Sequence, residues 1–96
     1  MFRDREPLEP REVRALLGRI LAAGRVALTQ HARRQMEQRG LTAPDMENAL
    51  RAGLVEPGEF EMGTWRYRVC TPRSTFVVAF RSEDEVAVVT AWRPEQ

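Results

Sequence analysis

Lysine is absent from this chain of 96 residues; all fifteen of its basic side chains are arginine. One cysteine, Cys70, and one histidine, His31, complete a short inventory of soft ligands. A lone cysteine cannot close an internal disulfide, and a structural zinc site would need carboxylates around His31, so neither a metal nor a cofactor is expected. No apolar run approaches the roughly 20 residues of a membrane helix. The opening MFRDREPLEPREV is charged and lacks the apolar centre of a secretory signal, which makes the cytoplasm the expected compartment. There is no Walker loop, no dinucleotide fingerprint and no serine in a nucleophile elbow, so the common nucleotide-binding and hydrolase motifs are excluded.

What is present fits one ordinary globular domain spanning residues 1–96, with 43% hydrophobic and 30% charged residues. A net charge of +1 is too small to announce a nucleic-acid protein. All-arginine usage fits codon bias in a GC-rich genome. Guanidinium forks nevertheless suit phosphate wherever they cluster, so their placement carries more information than their number.

Val13, Leu16, Leu17, Ile20 and Leu21 recur at helical spacing, with Pro10 suited to a first turn and Gly24 to a C-terminus, predicting a packed amphipathic helix over 10–23. RVALT reads as a short edge strand whose Thr29 caps a second helix over 30–39, closed by Gly40 in a left-handed conformation. Thr42 and Asp45 are spaced as an acidic capping box around Pro44, starting a third helix over 43–52 that ends at Gly53. From Leu54 the period falls to two. LVEPGEFEMG, TWRYRVCT, STFVVAFRS and EVAVVTAWRP read as four strands joined by short turns, which predicts an antiparallel meander. The expected fold class is α+β, with N-terminal helices packed on a C-terminal four-stranded antiparallel sheet.

The run LTQHARRQMEQRGLTAPDMENALRAGLVE, followed by WRYRVC, TFVVAF and VAVVTAWRP, resembles the bacterial family called domain of unknown function 4258. That pattern has a His-Ala pair opening a helix, Met and Arg-Gly closing it, an Asp-x-x-x-Ala-Leu helix, Gly, and a sheet ending in Val-Thr. His31, Ala32, Met36, Arg39, Gly40, Asp45, Ala49, Leu50, Gly53, Val89 and Thr90 occupy those places. The match runs over about 26–94 and leaves the helix at 10–23 outside it. The family is similar to RelE, HigB and BrnT type toxins, which implies a RelE-like sheet carrying the site, endoribonuclease activity, and a cognate antitoxin as partner. RNA, including ribosome-associated mRNA, is the implied substrate. Where many members carry an arginine before the methionine, this chain has Gln35.

On a helix, His31 shares a face with Arg34 and Gln35, and Gln38 and Arg39 extend it. An imidazole can move a proton near neutral pH, while arginine stabilises the charge growing on a pentacoordinate phosphorus. The alternative is a histidine that only hydrogen-bonds the helix to the sheet. Alternation sends Trp65, Tyr67 and Val69 to one face of a strand, and Arg66, Arg68 and Cys70 to the other. Trp92 suits either an unpaired base or a lid over the core. The candidate catalytic set is therefore His31, Arg34, Arg66 and Arg68, with Arg33, Gln35, Arg39, Arg81, Trp92 and Arg93 as binding residues. Glu56, Glu59 and Glu61 read as a solvated strand edge, with Glu61 an outside candidate for a general base. The two function classes are metal-independent RNA cleavage by attack of the 2'-hydroxyl, and a non-catalytic module binding RNA or protein on the same sheet.

Overall fold

A computed structural model describes residues 2–94. After a 3₁₀ turn at Phe2–Arg5, the chain forms α1 (Pro10–Ala23), β1 (Arg25–Leu28), α2 (Gln30–Arg39), α3 (Ala43–Ala52), β2 (Leu54–Val55), β3 (Glu59–Glu61), β4 (Thr64–Cys70), β5 (Thr75–Phe80) and β6 (Glu85–Trp92). The three helices have the boundaries their caps predict. Thr29 Oγ1 accepts from the Ala32 amide, Thr42 and Asp45 close a reciprocal capping box, and Gly40 sits at φ 66°. No described helix is long and apolar enough to cross a membrane.

The fold is α+β, but the sheet is larger than the expected four-stranded meander and is mixed. Its order is β1-β6-β5-β4-β2, with β3 also paired to β4. β1 runs parallel to β6, from Arg25 beside Glu85 to Leu28 beside Val88, and the remaining pairs are antiparallel. The expected first strand of the meander is divided. Leu54 faces Cys70 and Val55 faces Val69, whereas Glu59 faces Arg66, so one extra residue is inserted at Pro57-Gly58. Pro57 has no N–H for the ladder, and a Cβ on Gly58 would lie 2.7 Å from the Tyr67 ring. A second register shift falls between Val77, which faces Thr90, and Val78, which faces Val88.

The helices cover one face of this sheet. Val13, Leu16, Leu17 and Ile20 of α1, Ala32 and Met36 of α2, and Met46, Ala49 and Leu50 of α3 join Tyr67, Val69, Phe76, Val78, Val86 and Val88 in one core cluster. Burial of each large apolar side chain contributes about 1.5–3 kcal/mol. Leu21, expected in the stripe, is only half-buried at its margin. Tyr67 ties the N-terminal segment down: its hydroxyl accepts from the Leu8 amide at 2.9 Å and donates to Glu6 at 2.8 Å. α2 continues the lane of β1 where that strand ends. The Thr29 amide donates to Val88 O and its hydroxyl to Val89 O, and at the other end Arg93 donates to the Arg39 and Gly40 carbonyls. Ten helical residues rise about 15 Å, close to the length of the last turnless stretch of β6 at about 3.3 Å per residue. α2 therefore covers the edge of β6 that β1 leaves open.

Candidate nucleic-acid interface

Alternation and register define the opposite face of the sheet residue by residue. One row across it holds Leu54, Cys70, Thr75 and Trp92; the next holds Arg68, Val77 and Thr90; beyond them Glu59 stands opposite Arg66, and Ala79, Ala87 and Ala27 lie across β5, β6 and β1. Val77, Ala79 and Ala87 are buried, yet they stand apart from the core cluster in which the helices' buried side chains are gathered. They form a short apolar strip on the face turned away from that cluster.

Arg68 stands on the same face. Its guanidinium carbon lies 5.8 Å from the centre of the Trp92 ring, and one of its nitrogens is 3.6 Å from Glu59. The ion pair is long and its side chains are about half exposed, so Glu59 holds Arg68 only weakly. Arg66 is half-buried, with its Nε 3.4 Å from Thr64 Oγ1. The sequence reading that opposes Arg66 and Arg68 to Trp65, Tyr67 and Val69 agrees with this placement. Tyr67 and Val69 are fully buried beneath the helices, and Trp65 is half-buried in an edge-to-face contact with Phe60, ring centres 5.3 Å apart.

The other candidates divide by what already occupies them. Arg81 is paired with Glu85 at 3.1 Å, and Glu85 also meets Arg25 at 3.1 Å; hydrogen bonds from Arg25 and then Arg81 hold the Glu85 carboxyl below the usual carboxylate range. Arg93 points to the C-terminal carbonyls of α2 instead of the sheet face. Gln35 accepts from Arg39 Nε at 3.0 Å and so steadies an arginine one turn further along its own helix. Arg33 and Arg34 are exposed. Glu61 lies exposed in the β3–β4 hairpin, whose turn is made by Met62 and Gly63 at positive φ. Cys70 is half-buried on β4.

His31 is exposed in the first turn of α2 and makes no side-chain hydrogen bond or ion pair among the described residues. The bond to the sheet backbone that a structural histidine would make is made by Thr29 instead. The lane order separates the two halves of the candidate set. α2, with His31 and Arg34, packs on β6, while Arg66 and Arg68 rise from β4, two strands further in. Two strand spacings put about 10 Å between the β6 and β4 backbones. The structure brings Arg68 to Trp92, and it does not gather His31, Arg34, Arg66 and Arg68 around one point. Among the described residues no three His, Cys, Asp or Glu side chains are grouped to hold a metal. Sequence reasoning missed Glu59 as the neighbour of both sheet arginines, because the bulge at Pro57-Gly58 sets that register.

No protein-family model matches the chain, and neither does any curated protein or solved structure.

Proposed function

We propose that this protein binds single-stranded RNA across the open face of its sheet. The observation that carries the reading is Arg68 lying over Trp92 on the face of the apolar strip, with Arg66 beside it. Single-strand recognition combines a cationic track for the backbone with aromatic faces on which unpaired bases stack. A rigid sheet fixes both at the right separation, because neighbouring strands are about 4.8 Å apart. Trp92 takes a base, and Arg66 and Arg68 take the flanking phosphates. An antitoxin-type partner would occlude the same face, offering carboxylates to the two arginines and an apolar patch to Trp92.

Fluorescence anisotropy with a short single-stranded RNA tests the reading. Trp92→Ala should weaken binding by roughly 5- to 150-fold, the span of about 1–3 kcal/mol for one stacked base. Affinity unchanged by Trp92→Ala would remove the base-stacking role.

Cleavage is the second reading, and the observation in its favour is the unpartnered, exposed His31 with Arg34 one helical turn on. In it the RNA runs from the sheet face over β6 to α2. His31 takes the 2'-hydroxyl proton, that oxygen attacks the adjacent phosphorus, the P–O5' bond breaks with the 5'-oxygen taking a proton from water, and a 2',3'-cyclic phosphate and a 5'-hydroxyl result. Arg34 stabilises the charge on the phosphorane. In this reading the sheet arginines bind the substrate and the reacting phosphate lies at α2. Gel analysis of RNA ends tests this separately from binding, since an intact RNA that remains bound supports the non-catalytic module.

A further inference from the structure

We propose that the cleft between the start of α3, the β4–β5 turn and Arg93 is a pocket for one ribonucleotide, with the phosphate on Arg73 and Arg93 and the base edge on Asp45 and Asn48. The cleft has a volume of about 290 Å³, just under the roughly 300–1,000 Å³ typical of small-ligand sites. Its polar groups are arranged by structure that is already satisfied. Asp45 Oδ2 closes the cap of α3 through the Thr42 amide at 2.8 Å and hydroxyl at 2.9 Å, which leaves Oδ1 without a partner among the described residues. The Thr42 amide, then its hydroxyl, then Arg93 and Arg73 keep this carboxyl below its usual range, so it stays an acceptor. Asn48 is three residues on and lines the same cleft. Its Oδ1 accepts from Arg51 at 3.2 Å, which leaves the amide nitrogen a donor without a partner among the described residues.

An acceptor from Asp45 beside a donor from Asn48 complements the Watson–Crick edge of any base, since each of the four presents an N–H next to an acceptor. The Arg73 guanidinium makes no hydrogen bond or ion pair among the described residues, and Arg93 uses Nε and Nη2 on the Arg39 and Gly40 carbonyls at the end of α2, leaving Nη1. Two cations against one carboxylate leave the cleft with a net positive charge suited to a phosphate monoester or diester. The cleft also adjoins the open sheet face. Arg93 follows Trp92 and Ser74 precedes Thr75, and Trp92 and Thr75 share one row of that face. The proposal thus rests on the RNA reading for the polymeric source of its ligand, while the nucleotide chemistry stands without it.

Isothermal titration of the full chain with adenosine monophosphate, inorganic phosphate and a short single-stranded RNA tests the pocket. Adenosine monophosphate should bind saturably and more tightly than inorganic phosphate. Arg73→Ala and Asn48→Ala change exposed residues, and the first should weaken the nucleotide by about tenfold or more, the scale of one charged hydrogen bond. The double variant Arg66→Ala/Arg68→Ala should weaken RNA while leaving adenosine monophosphate within about twofold. Nucleotide binding no tighter than phosphate, or binding indifferent to Arg73→Ala, overturns the pocket. Mononucleotide binding without RNA binding upholds the pocket for a free nucleotide and overturns the sheet reading.

Discussion

On the proposed RNA-binding reading, replacing Arg66 and Arg68 together by alanine should change how RNA affinity depends on salt, by an amount that follows from the number of phosphates assigned to them. Each phosphate neutralised on a single strand contributes about 0.7 to the slope of log affinity against log salt. Two lost contacts should flatten the slope by about 1.4. Between about 50 and 200 mM salt those contacts cost the parent roughly sevenfold in affinity, and the double variant should not show this part of the decline. Glu59 supplies a control of opposite sign. It faces Arg66 across the β3–β4 ladder and is 3.6 Å from Arg68. Glu59→Gln should therefore strengthen binding at low salt by freeing Arg68. The assay is anisotropy of a labelled single-stranded RNA over a salt series, with circular dichroism of each variant to confirm the fold. A parent and double variant with the same slope would refute the assignment of phosphates to this face, even if overall affinity fell.

His31→Ala should leave the melting temperature nearly unchanged, since the side chain is exposed and unpartnered, and in the cleavage reading should lower the cutting rate by roughly two to four orders of magnitude. A folded variant that cuts at the parent rate would end that assignment. Tyr67→Phe strands the buried Leu8 amide and removes a bond to Glu6; urea unfolding should show a loss of about 1–3 kcal/mol, with RNA binding preserved because Tyr67 faces the helices. Burial raises the Tyr67 pKa well above its usual value, so the phenol remains the donor to Glu6 throughout the neutral range. Glu85 has a depressed folded pKa, so its contribution to stability is present above its usual value of 4.5 and is lost as pH falls through the lower folded value. The stability difference between parent and Glu85→Gln should accordingly shrink on acidification, and a difference that stays constant from neutral pH to about pH 3 would contradict the pairing with Arg25 and Arg81.

The helices were legible because their ends are written in local chemistry. Thr29, Thr42 with Asp45, Pro44 and Gly40 each act within four residues, and the structure uses them as their types suggest. The sheet was less legible where its order depends on distant partners. Nothing local to RVAL shows that it pairs parallel to a strand 60 residues later, or that α2 then takes over the same edge. LVEPGEFEMG alternates well enough to read as one strand, although Pro57 interrupts the ladder and Gly58 admits the Tyr67 ring. At the candidate interface, alternation placed Arg66 and Arg68 correctly on the outer face. It could not show that Arg68 would lean over Trp92 on the second strand away, nor that Arg93, only one residue beyond Trp92, would turn to α2. His31 was legible as an accessible side chain in a first turn, but its separation from β4 is a property of strand order.

The claim that RNA lies on the open sheet face is tested most directly by mapping amide chemical shifts while a short single-stranded RNA is titrated into the labelled protein. The account predicts the largest changes at Arg66, Arg68, Val77, Thr90 and the Trp92 indole, with little change at Val13, Leu17 or Leu50 on the helical side. Shifts confined to α1 and α3, with the Trp92 indole unmoved at saturation, would contradict it.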